Sequence, residues 1–194
     1  SFRLPMLRGV LPVSGAQIPS EIIAGNTLAA LAVPEVMGYT KISGTPVVTG
    51  LYTILIPMAL FAVLGSSRHL VVGADSATAA ILAAGLVGVA ASGSDQYVAL
   101  AAILAQSAAT SRAYAARYNE RFSENSDLLG LALANIGAGL SGTFVVNGSP
   151  TKTQMVDSAG GRTQLSLLVT TVIVLLVLLF LTAPLAYMPE AVLS

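Results

Sequence analysis

The chain has no cysteine, a single histidine, and only 9% charged residues among its 194. Without cysteine it can form no disulfide, thiolate metal site or cysteine nucleophile. His69, the one histidine, lies beside Arg68 in a turn, and the sequence shows no metal cluster or nucleophile–base pair. The glycine-rich stretches Gly137 to Gly142 and Gly160-Gly161 lack the Rossmann and P-loop spacings. We therefore expect no enzyme, no cofactor and no metal. Nine basic and nine acidic residues cancel, which leaves no surplus charge for nucleic acid. The opening "SFRLPMLRGVLP" lacks a continuous apolar core ending in a small-residue cleavage site, so no removable signal peptide is expected.

What fills the chain instead is apolar. It is 55% hydrophobic with a mean hydropathy of +0.80, whereas soluble domains carry about 25% charged residues. Ile42 to Ser67, Ser76 to Ser94, Leu128 to Thr151 and Thr163 to Ala183 contain no Asp, Glu, Lys or Arg. A spanning helix needs about 20 mostly apolar residues, and "TQLSLLVTTVIVLLVLLFLTA" meets this unaided. The pattern predicts an interfacial segment over residues 1–20 and a first span from Glu21 to Met37, interrupted at Pro34-Glu35. A second span follows from Gly50 to Leu64, kinked at Pro57. "SSRH" (66–69) reads as an interfacial polar turn containing His69, and "LVVG" (70–73) as an extended run. Further helices are predicted over Asp75 to Ala91, Asp95 to Tyr118, Asp127 to Ser141 and from Pro150 onward. "FVVN" (144–147) is a second extended run, and "YMPEAVLS" re-enters at the end.

"LVVGADSATAA" (70–80) and "FVVNGSPTKTQ" (144–154) share one plan: a β-branched run, a glycine, a small hydroxylated residue and a helix start. Two such breaks in matching positions are the mark of a transporter site at mid-membrane. Extended backbone at that depth persists only when buried in protein or lining a cavity. The alternative is a pair of surface loops that happen to look alike. At the second break, Ser149 is a suitable helix N-cap and Pro150 suits the first helical position. Lys152 then lies on the first turn, where free N–H groups and the helix dipole attract anions. An intramembrane lysine suggests a functional site; the alternative is a lysine extending to lipid headgroups.

The stretch "AGNTLAALAVPEVMGYTKISGTPVVTGLYTILIPMALFAVLGSSRHLVVGADSA" resembles the first three membrane segments of the sulfate permease (SulP) family of anion transporters. Pro-Glu, a proline before "GLY", "GSSRH" and "VG" carry that likeness. "SAATSRAYAARYNE" and "LLGLALANIGAGLSGTFVVNGSPTKTQMVDSAGGRTQL" resemble segments eight to eleven. The resemblance implies an all-α membrane protein with two short extended segments and broken helices, part of a seven-plus-seven inverted-repeat transporter fold. Residues 1–104 would be the N-terminal repeat portion, resembling segments one to three and the start of four. Residues 105–194 would be the C-terminal portion, from the end of eight to eleven or twelve. The sequence thus resembles an internally deleted, truncated family member without the regulatory STAS domain.

The same resemblance assigns roles. Thr151 and Lys152 match a hydroxyl–basic pair beside the anion, with Ser149, Ser76 and Tyr39 in the same site. Glu35 matches a cavity-facing position that is glutamine in some members and acidic in others; buried, a carboxyl favours its protonated form, which suits proton coupling. A surface glutamate at a helix end and ordinary packing of Tyr39 are the alternatives. Asp75 lies where the family has an aromatic or apolar residue, and would cap the following helix, titrate or bind a cation. Gln106 lies near an acidic position of sodium-coupled relatives, and its neutrality argues against sodium. The expected function is transport of a small inorganic anion, sulfate or bicarbonate, across a bacterial inner or plasma membrane. The expected partners are the anion, the bilayer, a coupled proton, and a second copy or complementing subunit to cover the exposed faces. The alternative is a non-transporting paralogue or assembly partner.

Overall fold

The computed structural model describes residues 6–43, 45–75, 95–121 and 123–181. A single 3-10 turn at Gly15–Gln17 leads into α1 (Ile18–Ser43), followed by α2 (Val47–Leu64), β1 (Val72–Gly73), α3 (Asp95–Tyr118), α4 (Glu124–Leu140), β2 (Asn147–Gly148), α5 (Pro150–Ser158) and α6 (Leu165–Phe180). The helix expected over Asp75 to Ala91 and the re-entry at "YMPEAVLS" lie outside the described residues.

Among the described residues, two helices are long and apolar enough to cross a membrane: the continuous helical stretch Gly15–Lys41 and Val47–Leu64. The expected break at Pro34-Glu35 does not occur. α1 runs through Pro34 for 26 residues, about 39 Å at 1.5 Å per residue. α2, where a kink at Pro57 was expected, is one continuous helix through that residue. Each proline removes a helical donor, but spanning helices tolerate this when neighbouring helices hold the chain. α6 covers 16 residues, about 24 Å, in the heart of the predicted Thr163 to Ala183 span.

α1, α2 and α6 pack against one another, and α2 also packs along α4. Leu28, Leu51, Ile54, Met58, Phe61, Leu167 and Val174 form the buried core between them. Small residues bring the backbones close, as is usual where lipid supplies no hydrophobic drive between helices. A Cβ on Gly25 would lie 2.7 Å from the Ser166 carbonyl, and the Thr170 hydroxyl donates to the Gly25 carbonyl (3.0 Å). A Cβ on Gly50 would meet the Val36 carbonyl at 2.6 Å.

The turn after α2 is held by buried polar groups. Asp127, on the first turn of α4, accepts from the Ser66 and Ser67 backbone N–H groups (2.7 and 2.8 Å) and from the Ser66 and Ser111 hydroxyls (2.9 and 3.1 Å). Gln164, fully buried, donates to the Ser67 and Leu70 carbonyls. Its own backbone N–H reaches the Gly9 carbonyl (2.9 Å), which fixes the N-terminal segment against the bundle. Asp127→Ala would leave two buried backbone donors without an acceptor. We expect it to destabilise the fold by about 2–4 kcal/mol, with Asp127→Asn intermediate. Unfolding midpoints in detergent check this; an unchanged midpoint for the alanine variant would contradict it.

Candidate anion-binding site

The two predicted extended runs pair with each other. β1 and β2 are antiparallel, with Val72 opposite Gly148 and Gly73 opposite Asn147. Each is two residues long, and β2 begins where the predicted "FVVN" run ends. The Ser149 N–H donates to the Val71 carbonyl (2.9 Å). Side chains satisfy groups the short ladder leaves open. The Val71 N–H donates to Thr153 Oγ1 (3.0 Å) and the Gly148 N–H to Ser107 Oγ (2.8 Å). The Asn135 amide brackets Val146, accepting from its N–H (2.8 Å) and donating to its carbonyl (2.9 Å).

This pairing aims α5 at the end of β1. Ser149 caps α5, its Oγ accepting from the Lys152 N–H (3.4 Å), and Pro150 occupies the first helical position. The Thr153 hydroxyl donates back to the Ser149 carbonyl (2.7 Å). The Thr151 backbone N–H and hydroxyl have no partner among the described residues, and Thr151 is exposed.

Lys152 does not extend to the surface. Its side chain is 4% exposed, and Nζ lies 3.0 Å from Glu35 Oε2. Nζ also donates to the Ala74 carbonyl (2.5 Å) and stands 6.0 Å from the centre of the Tyr39 ring. The Tyr39 hydroxyl donates to Glu35 Oε1 (2.6 Å). Glu35 Oε2 has no aligned hydrogen bond, so its contact with Lys152 is a charge pair at close range. Sequence-predicted Lys152, Glu35 and Tyr39 are thus brought together. Ser149 is beside them, with its hydroxyl engaged as the cap.

The other candidates are placed differently. Asp75 Oδ2 accepts from the Asn147 side chain (3.0 Å), tying the end of β1 to β2. Ser76 and the helix that Asp75 would cap lie outside the described residues. Gln106 is exposed, and its buried neighbour Ser107 is the residue that reaches β2. Thr153, Asn135 and Ser107 were not singled out from the sequence. Thr153 carries a readable signal, a hydroxyl four residues after the cap. Among the described residues no group of acidic or histidine side chains could hold a metal ion.

The far end of α5 is also anchored. Asp157 accepts from the Tyr118 hydroxyl (2.5 Å) and pairs with Arg162 (2.6 Å) and Arg117 (3.1 Å). His69, expected in an interfacial turn, is buried in the protein and stacked on Tyr118 with ring centres 4.5 Å apart. Burial pushes its imidazole down to about 4, against the opposing pull of Asp157. The neutral ring is therefore the form that fits beside Glu120, whose carboxyl burial pushes up.

The helix bundle, the crossed strand pair and the helix starting from it define an inverted-repeat membrane transporter fold. The chain matches the transmembrane domain of a cyanobacterium bicarbonate transporter, BicA, with a TM-score of 0.77. That match covers 93% of this chain and 86% of the other at 13% identity. It matches SLC26A9 with a TM-score of 0.75 over 91% of this chain and 56% of that one, at 11% identity. The chain belongs to the sulfate permease family, which it matches over residues 18–105 and again over 97–194. The two matches meet inside α3. A probable sulfate transporter of Mycobacterium tuberculosis strain H37Rv is 43% identical over 84 residues, 43% of this chain and 15% of the relative. Sulfate transporter 3.1 of Arabidopsis thaliana is 48% identical over 54 residues, 28% of this chain and 8% of the relative. The chain thus aligns with only a small part of these relatives' own length. Members of this family are integral membrane proteins.

Proposed function

We propose that the chain carries the substrate site of a transporter for a small inorganic anion of the sulfate or bicarbonate class, with binding coupled to protonation of Glu35. The observation that carries this reading is the buried Lys152 ammonium on the first turn of α5, paired with Glu35 at 3.0 Å. Beside it, Thr151 offers an N–H and a hydroxyl without a partner among the described residues. Together these make three donors at a positive helix end, enough to replace part of an oxyanion's hydration. The names of the relatives and of the bicarbonate transporter support this substrate class. Residues 1–104 and 105–194 would supply the two repeat portions, each contributing one strand of the pair.

Glu35 competes with the anion for Lys152. While its carboxylate pairs with the ammonium, the pair is neutral and a dianion gains little by entering. A proton on Glu35 ends the charge pair and leaves Lys152 to the anion. Anion and proton would then enter together. Asp75, held by Asn147, would border the same space from the β1 side, and Ser76 is assigned to the same site by the resemblance alone.

Sulfate binding to the purified chain tests the site. Lys152→Ala should weaken it tenfold or more, because charge-assisted hydrogen bonds contribute about 1.5–3 kcal/mol. Lys152→Arg should weaken it less. Equal affinity in the wild type and the alanine variant would contradict the assignment.

The coupling is tested by pH. Wild-type sulfate affinity should rise as pH falls, since protonation of Glu35 releases Lys152. Glu35→Gln should bind sulfate with an affinity that does not change with pH. An unaltered pH dependence in the glutamine variant would remove Glu35 from the coupling.

A further inference from the structure

We propose that the cavity between the N-terminal segment and the α3–α4 turn holds the phosphate-bearing headgroup of an anionic phospholipid from the cytoplasmic leaflet. The cavity has a volume of about 590 Å³ and is lined by Arg8, Arg68, Arg121, Glu120, Leu11 and Ser123, among others. That volume lies within the range usual for small-ligand sites, about 300–1,000 Å³.

Its three arginines do different work. Arg68 is committed to the fold: Nη1 and Nη2 donate to the Leu11 and Pro12 carbonyls (3.0 and 2.9 Å), and Nε lies 3.4 Å from Glu120. It builds the wall and is balanced by Glu120. Arg8 and Arg121 are exposed and have no ion-pair or hydrogen-bond partner among the described residues. Two unpaired guanidinium groups therefore share one concave site, and a planar fork of donors matches phosphate oxygens.

Position in the fold selects a lipid. The cavity lies where α2 ends, α3 ends and α4 begins, which is a boundary of the bundle. The same end holds Arg112 with Glu124, and Arg117 and Arg162 with Asp157. Lys41 is at the opposite end of α1. An excess of arginine at one end marks the cytoplasmic side, and that leaflet is the anionic one. On the rim, Leu11 is 57% exposed and nearby Met6 is 64% exposed. They give acyl chains an apolar exit, which a soluble phosphate would not use.

The test uses the purified 194-residue chain, delipidated in an uncharged detergent and incubated with phosphatidylglycerol or phosphatidylcholine. Bound lipid is read by native mass spectrometry. Wild type should retain phosphatidylglycerol in preference to phosphatidylcholine, and millimolar inorganic phosphate should not displace it. Each arginine near an anionic headgroup contributes about fivefold. The R8Q/R121Q double variant should therefore lose affinity by about twenty-five-fold. Arg112→Gln, exposed and outside the cavity, should leave retention unchanged. Equal retention of the two lipids, displacement by inorganic phosphate, or an equal loss in Arg112→Gln would each overturn the proposal.

Discussion

Two extended segments meet inside a membrane bundle, and their pairing constrains everything around them. Backbone at membrane depth must find internal partners, because each unsatisfied group costs several kcal/mol there. Two strand residues on each side cannot meet that requirement alone. Thr153, Ser107 and Asn135 supply the missing partners, and they come from α5, α3 and α4. The pair thus fixes three helices to one crossing point and sets the direction in which α5 leaves it.

Charge placement on α5 runs against its dipole. Lys152 is on the first turn, where a cation is disfavoured, and Asp157 is near the last, where an anion is disfavoured. Tertiary partners hold both. Arg117, Arg162 and Tyr118 hold the aspartate permanently at the basic end. Among the described residues, Glu35, the Ala74 carbonyl and the face of Tyr39 hold the lysine. The helix backbone is fixed at both ends, by the strand pair and by the Asp157 contacts, so an exchangeable partner for the Lys152 side chain suits a site whose occupant changes. In the proposed cycle the substrate anion replaces Glu35 as the lysine's counter-ion, so the helix keeps its position while the pairing alters.

Much of this was legible in the sequence, and the gaps have physical causes. β-branched runs ending in glycine, followed by a small cap and a helix start, announced both extended segments. They did not announce that the segments pair with each other, because pairing depends on tertiary approach and no local pattern encodes it. Lys152 was legible as a buried lysine at a helix start. Its partner Glu35 lies a whole bundle away in the chain, so only the resemblance brought the two into one cavity. Proline patterns misled: Pro34 reads as a break, yet packing of α1 against α6 and α2 carries the helix through it. Gln106 and Ser107 show the limit of placing a helix face by sequence. A one-residue step is a 100° turn, which separates an exposed amide from a buried hydroxyl on β2. That His69 is buried could not be read from its polar neighbours in the turn, because the tyrosines that stack on it come from α3.

The central claim is that the two extended runs pair within the bundle and that side chains from three helices take up backbone groups the short ladder leaves open. Residue-resolved amide hydrogen exchange on the purified chain tests it most directly. The N–H groups of Val71, Val146, Gly148 and Ser149 each have a named acceptor. They should therefore exchange as slowly as those in the interior of α2, although none lies in a helix. Exchange at the rate of an exposed loop in both runs would contradict the pairing, and with it the position of Lys152.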